Sequence, residues 1–422
     1  MRRRAARGAV AVLPFLVLLA HASALGTLAP QGAPPPTPVP PNGSPSPFVS
    51  RLSVPADPIT SPRVDTSSAI LVDLAEGQVL YQRSPQRPQP VASLTKLMTA
   101  LLVLEEEERL DRTISIHPGA VFGRNDYGGG STLGLRSGER VSLRGLLAGL
   151  LLGSANDAAE ALAIEVAGSV SAFVQDMNGR AKSLGMSRTR FASPHGLDDR
   201  GRSSSADLML LLRAGLRHPT FRDMIARKLE VVRSDSARPR RIQNRNVMLW
   251  LYPGASGVKT GFTVASGFCL IATARRGDRQ LAVVVLGGRD EVFSDAAALL
   301  NHGFAAYERT SLVEDGEPLG SVRVRGGEVP VVAGDGLDAL VGIAGAGAIE
   351  RILKTSPAAA YPPPSGSVVG TLRLTSSGTT LGKVPIVVAD LGVPEEPTGS
   401  WWGRAAGAVS GAVGALVGAL LG

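Results

Sequence analysis

Ser93-Leu94-Thr95-Lys96 places a hydroxyl and an amine three positions apart. Upstream lies Arg87-Pro88-Gln89-Pro90, and downstream an unbroken apolar run from Leu97 to Leu104. Proline cannot continue a helix, and the run has helical length and composition, so Ser93 is predicted on the first turn of a helix. Residues three apart share a helix face, which sets Lys96 beside Ser93. A serine hydroxyl is a weak nucleophile until a base takes its proton. A desolvated lysine can be that base, and the positive end of a helix favours the developing negative charge. The same spacing also fits a solvated lysine at a helix start.

Residue usage bears on the choice. Of 44 Lys and Arg residues, only six are lysines: Lys96, Lys182, Lys228, Lys259, Lys354 and Lys383. Arginine supplies ordinary charge here, and arginine cannot act as a base at biological pH. A second Ser-x-x-Lys, Ser256 to Lys259, has Pro253, Gly254 and Gly257 around it, which speaks against a helical turn.

Two further groups could serve such a nucleophile. Gly153-Ser154-Ala155-Asn156 interrupts two apolar helical runs, and Asn156 or Asp157 can cap the second. Capping accounts for one polar residue there but not for both Ser154 and Asn156. Lys259-Thr260-Gly261 leads into the β-like run Gly267–Ala274. His195, in Ser193-Pro194-His195-Gly196, reads as a hydrogen-bonded turn residue rather than a catalyst. The five histidines are scattered and Cys269 is the one cysteine, so no disulfide within the chain and no metal-ligand spacing is expected.

The elements that must hold these residues follow in order. Ser68–Leu74 and Gln78–Tyr81 read as a hairpin around Ala75-Glu76-Gly77. The Ser93 helix runs to the acidic Glu105–Glu108, and Gly123–Gly134 is a glycine-rich loop. Helices are predicted over Val141–Leu152, from Asp157, over Ala172–Leu184, and from Ser205 to Leu216. A hairpin of Gly267–Ala274 and Gln280–Leu286 and a helix over Ala296–Tyr307 close the unit. Strand, many helices, hairpin, helix describes a mixed α/β (α+β) domain with a sheet built from distant parts of the chain. From Ser311 short β-like pieces such as Gly320–Val324 and Val368–Leu374 give a small all-β domain.

The ends differ from this body. Residues 1–24 read as a signal peptide, with Arg2, Arg3, Arg4 and Arg7, an apolar stretch from Ala9 to Ala20, and Ala22-Ser23-Ala24 at the cleavage site. Residues 25–62 hold twelve prolines and read as a linker. The expected boundaries are then 63–308 for the catalytic domain, 309–397 for the β-rich domain and 398–422 for a membrane-associated segment. That last segment joins Trp401-Trp402 to an uncharged run, Ala405–Gly422, with glycines at close to four-residue spacing. The net charge is +8, and four of the positive charges lie in the leader. The remainder is mildly basic, which suits an anionic cell-wall or membrane-surface setting. No basic stretch interleaves with aromatics, so nucleic acid is not an expected partner.

Taken together, Ser93-Leu94-Thr95-Lys96, Ser154-Ala155-Asn156 and Lys259-Thr260-Gly261 resemble the motif set of penicillin-binding proteins and class A β-lactamases. Ala92–Ala100, Leu150–Leu162, Phe191–Asp207, Tyr252–Gly267 and Leu299–Phe304 extend the resemblance to the low-molecular-mass members, the D-alanyl-D-alanine carboxypeptidase family, over about residues 63–308. The resemblance implies a transpeptidase/β-lactamase-like domain with an antiparallel sheet and helices. It implies that Ser93 attacks the carbonyl between two D-alanines of a peptidoglycan stem peptide, with Lys96 as base. Ser154 would relay protons and Asn156 would position the substrate amide. Lys259 would set the electrostatics, Thr260 would bind the terminal carboxylate, and Gly261 completes the motif. The backbone N–H groups of Ser93 and Phe262 would form the oxyanion hole. It implies no metal or organic cofactor, β-lactams as covalent inhibitors, and export to the outer surface of the cytoplasmic membrane. A β-lactamase or a transpeptidase on the same fold is the alternative, as is a wall-binding module with an inactive site. Class A enzymes add a glutamate for deacylation, whereas Phe191–Asp207 holds Asp198, Asp199 and Asp207 but no glutamate. Ser193 stands where the family usually has Asn. Arg289 is the nearest candidate for a second carboxylate contact, at a longer spacing than the family's, and is outside the expected site.

Overall fold

The computed structural model describes residues 52, 59–122, 130–235, 238–289, 292–324, 327–343, 349–355, 363–376 and 379–390. The expected signal peptide and C-terminal membrane segment, most of the linker and most of the glycine-rich loop lie outside the described residues. The chain forms two compact units. One runs to Glu308 and takes back residues 342–344; the other holds residues 309–341 and the chain from 345.

The first unit contains, in order, β1 (Ser68–Asp73), β2 (Val79–Arg83), a 3-10 turn (Ala92–Thr95), α1 (Lys96–Glu106), β3 (Thr113–Ser115), β4 (Arg140–Ser142), α2 (Leu143–Leu151), α3 (Asn156–Ala167), α4 (Val170–Ser183), α5 (Ser205–Gly215), α6 (Pro219–Ala226), β5 (Leu229–Val232), β6 (Arg240–Gln243), α7 (Met248–Leu251), β7 (Ala255–Thr263), β8 (Gly267–Arg276), β9 (Arg279–Gly288) and α8 (Val292–Ala305). Its main sheet has the order β2-β1-β9-β8-β7 and is antiparallel throughout. Strand β1 therefore pairs with a strand more than two hundred residues away, as the sequence led one to expect.

Both faces of this sheet are covered. Leu281 to Leu286 are all fully buried, which explains an apolar run without alternation. Gly303 of α8 rests on Leu71 and Leu281, marking the face that α8 covers. The other face meets the helical core, in which Ile70, Val284 and Ile271 pack with α1, α2 and α3. Helix α1 is largely apolar between Lys96 and Glu105, and residues 96–103 are buried without exception, as a central helix requires.

Register then delivers the motif lysine. Directly opposed residues in adjacent strands share a face. Lys259 opposes Ile271, Ile271 opposes Val284, and Val284 opposes Ile70. Lys259 thus faces the helical core from β7, the end strand of the sheet.

Several expected elements differ. Val141 belongs to β4, and α2 begins at Leu143, because the Ser142 hydroxyl accepts the Gly145 N–H and caps the helix. Helix α8 starts four residues before the expected Ala296, and Tyr307 opens a strand instead of closing the helix. The short α6, α7 and the β5–β6 hairpin were not anticipated.

The second unit is built of β10 (Tyr307–Val313, which begins at the boundary), β11 (Pro318–Val324), β12 (Gly327–Ala333), β13 (Leu337–Gly342), β14 (Ile349–Thr355), β15 (Val368–Ser376) and β16 (Thr379–Val388). Five of these form a sheet of order β11-β12-β16-β15-β14, and β10 pairs with β13. Leu312, Val329, Val331, Leu372, Leu374, Val384 and Ile386 are among the residues of its own core.

Candidate active site

Ser93 sits in the 3-10 turn, not in the first turn of α1, which begins at Lys96. Side chains three apart eclipse one another in a 3-10 turn. Lys96 Nζ lies 2.8 Å from Ser93 Oγ and donates to the His195 carbonyl at 2.7 Å. Ala92, just before the nucleophile candidate, has φ +48°, and Ser154 has φ +62°. Non-glycine residues in this region cost about 1–3 kcal/mol each and persist where surrounding structure holds them. One precedes the first motif and the other opens the second.

Lys96 has no exposed surface and Lys259 almost none. Burial pushes Lys96 well below the ordinary lysine value; the charges of Lys259 and Arg245 push the same way, and Asp157 opposes them. Burial, with Arg245, also holds Lys259 well below its usual value. An amine that gives up its proton this easily can accept one from Ser93. Lys259 Nζ donates to the Thr260 carbonyl at 2.9 Å.

Gly261 explains itself sterically. A Cβ there would stand 3.0 Å from the Val91 carbonyl and 3.1 Å from the Ser93 nitrogen. The strand therefore lies against the turn that holds Ser93. Thr260 is half-buried, and its hydroxyl has no protein partner among the described residues.

The α2–α3 junction supplies the other motif. Asn156 is the first residue of α3 and Ala155 the cap position, so neither Asn156 nor Asp157 is the cap. Asp157 instead accepts the Leu133 and Leu135 N–H groups at 2.9 and 3.0 Å, tying the preceding loop to α3. The Asn156 amide packs against Gly130, where a Cβ would come within 2.4 Å of Nδ2. Its Oδ1 is buried with no partner among the described residues. The Ser154 hydroxyl makes no hydrogen bond among the described residues, so the structure joins Ser93 to Lys96 directly and Ser154 to neither.

His195 behaves as a turn residue. It is buried, with Nε2 3.1 Å from Glu160 Oε1. Gly196 has φ +83°, and a Cβ there would meet the Ala92 carbonyl at 2.0 Å. The second Ser-x-x-Lys is part of β7, where Ser256 Oγ lies 2.9 Å from Thr273 Oγ1.

Arg245 is the residue that sequence reasoning missed. Its N–H donates to the Leu152 carbonyl at the end of α2, beside Ser154. Its guanidinium is largely withdrawn from solvent and has no acidic partner among the described residues. Nothing in Asn244-Arg245-Asn246 distinguishes it from some forty other cations in the chain. No group of three His, Cys, Asp or Glu residues that could hold a metal occurs among the described residues.

A serine hydroxyl in contact with a buried lysine, on a helical core facing an antiparallel sheet, is the arrangement of a serine hydrolase of the penicillin-binding type. Residues 56–290 match the family model for D-alanyl-D-alanine carboxypeptidase, and the chain belongs to that family. D-alanyl-D-alanine carboxypeptidase DacC of Escherichia coli is 32% identical over 352 residues, covering 79% of this chain and 85% of that protein. DacF of Bacillus subtilis is 28% identical over 77% of this chain and 85% of its own length. Among solved structures, penicillin binding protein 6B from Escherichia coli superposes with a TM-score of 0.61 at 28% identity, covering 80% of this chain and 99% of that one. The protein is accordingly a serine-type D-Ala-D-Ala carboxypeptidase, a penicillin-binding hydrolase of the cell wall, and its mixed helix and antiparallel-sheet domain with an added β domain is that of its relatives.

Proposed function

We propose that Ser93 is the nucleophile and Lys96 the base that removes the terminal D-alanine from a peptidoglycan stem pentapeptide. The observation that carries this is the Lys96 amine: fully buried, in contact with Ser93 Oγ, and held well below its usual pKa. Ser93 Oγ attacks the carbonyl between the two D-alanines while its proton passes to Lys96 Nζ. The oxyanion is held by the backbone N–H groups of Ser93 and Phe262. The C–N bond breaks, and the leaving D-alanine amine takes the proton from Lys96 through the Ser154 hydroxyl. Water then attacks the Ser93 ester, giving up a proton to Lys96, and releases the tetrapeptide as Ser93 recovers its hydrogen.

Binding follows from the groups that have no partner among the described residues. The buried Asn156 Oδ1 accepts a substrate amide N–H, and an unpaired buried acceptor gains most from one. The Thr260 hydroxyl binds the terminal carboxylate in the positive field of Lys259 and Arg245. β-Lactams acylate the same oxygen. Incubation with a stem pentapeptide should yield free D-alanine and tetrapeptide. Cross-linked dimer as the main product would mark a transpeptidase, and rapid turnover of penicillin a β-lactamase.

We also infer an exported enzyme held at the outer surface of the cytoplasmic membrane. The support is compositional: the Arg-rich, apolar leader over 1–24, and the two tryptophans with an uncharged run at 398–422. Among the described residues no helix is long and apolar enough to cross a membrane. The proposed domain boundaries are those expected above: linker to residue 62, catalytic domain 63–308, β domain 309–397. Deleting Trp401–Gly422 should move the processed protein from the membrane fraction to the soluble one, and a full-length protein already soluble would refute the anchor.

A further inference from the structure

Glu160 lies one helical turn after Asn156 on α3 and is nearly buried. Its partner is settled by the histidine's tautomer. His195 Nδ1 accepts the Leu197 N–H at 3.1 Å, so the ring proton resides on Nε2. Nε2 then donates to Glu160 Oε1 at 3.1 Å. Burial lowers the pKa of His195, in keeping with a neutral ring. The backbone carbonyl of this same histidine accepts one N–H of Lys96, at 2.7 Å. One residue earlier, the Pro194 carbonyl accepts the Thr99 hydroxyl at 2.6 Å, and the Ser193 hydroxyl accepts the Gly196 N–H at 2.9 Å. Glu160 is thus the side chain by which α3 grips the loop that touches the lysine.

We propose that Glu160 is a positioning residue for acylation, which acts through His195 to aim the carbonyl that orients the Lys96 amine. The proposal rests on the reading of Ser93 and Lys96 given above. A neutral amine has two N–H groups and one lone pair. If a fixed carbonyl takes an N–H, the lone pair is turned toward Ser93 and can receive its proton. If the carbonyl is free to drift, the amine rotates and the productive geometry is populated less often. Helix α3 then does two tasks from one face: Asn156 meets substrate, and Glu160, a turn later, sets the base. The role requires an acceptor for the Nε2 proton, not a negative charge.

That distinction makes the idea testable with Glu160→Gln and Glu160→Leu in the full-length protein. Labelling by a fluorescent penicillin, followed over time and concentration, separates the non-covalent binding constant from the first-order acylation constant. Glu160→Leu, which removes the carboxylate acceptor from Nε2–H, should lower the acylation constant about tenfold with binding changed less than about twofold. Glu160→Gln, whose amide oxygen can accept the same proton, should restore acylation to near the parent rate. Melting temperatures are recorded for each. If the leucine variant does not fold, Glu160→Asp, one methylene too short, takes its place with a loss of the same sign. A folded Leu or Asp variant that acylates at the parent rate overturns the proposal. Equal loss in Gln and Leu overturns it too, since charge would then be what matters. Ser93→Ala is run in parallel: labelling of that variant refutes the nucleophile itself, whereas its silence beside a fully active Leu variant refutes Glu160 alone.

Discussion

Two lysines without exposed surface are the least economical feature of the molecule, and the most informative. A buried ammonium is costly, so these groups shed their protons well below the pH at which a solvated lysine does. Two predictions follow from the sign. The acylation rate should rise with pH along a limb set by Lys96 and level off well before the ordinary lysine value. Arg245→Met removes a charge that disfavours the Lys96 proton, so that limb should move to higher pH, as stopped-flow labelling across pH would show. For stability, the unfolded chain keeps its lysine protons to about pH 10.4, and the native state loses them earlier. The penalty for Lys96 is therefore absent above the unfolded value and grows as pH falls toward the native one. Lys96→Met should raise the melting temperature more at pH 6 than at pH 10 while abolishing labelling. At this scale the sequence was generous with motif residues, because the scarcity of lysine made each one conspicuous. It hid Arg245 and Glu160, whose importance comes from burial and from partners far along the chain.

The elements matter through how closely they approach. Gly261 and Gly196 let β7 and the His195 loop close on the turn that holds Ser93. Gly261→Ala would press a methyl against the Ser93 amide, and acylation should fall by about tenfold or more with modest loss of stability. Gly196→Ala meets a backbone oxygen and a left-handed φ together. It should cost about 2–4 kcal/mol by thermal or chemical unfolding. Such needs are invisible in a sequence, where these glycines look like turn punctuation. The long elements were legible: α1, α4, α5 and the β8–β9 hairpin carry strong periodicity or unbroken apolar runs. The Ser-Leu-Thr composition of the 3-10 turn does not tell an i+3 bond from an i+4 one, so from sequence it reads as helix. Strand β4 merges with α2 in the sequence because Val141 and Leu143 flank a single Ser142, whose role as the helix cap shows only in the structure.

Among the described residues, the helical core of the first unit and the core of the second share no residue. The helical core of the first unit spans Ile70 to Leu286, and that of the second Leu312 to Val388. Calorimetry should resolve two unfolding transitions, and a covalently bound β-lactam should raise only the one belonging to the first unit. A single transition that moves as one would show the units to be energetically fused. The central claim, however, concerns one oxygen atom. It is tested most directly by labelling the intact protein with a fluorescent penicillin in the parent, Ser93→Ala and Ser256→Ala forms. The account predicts label on the parent and on Ser256→Ala, and none on Ser93→Ala. Persistent label on a folded Ser93→Ala protein would contradict it.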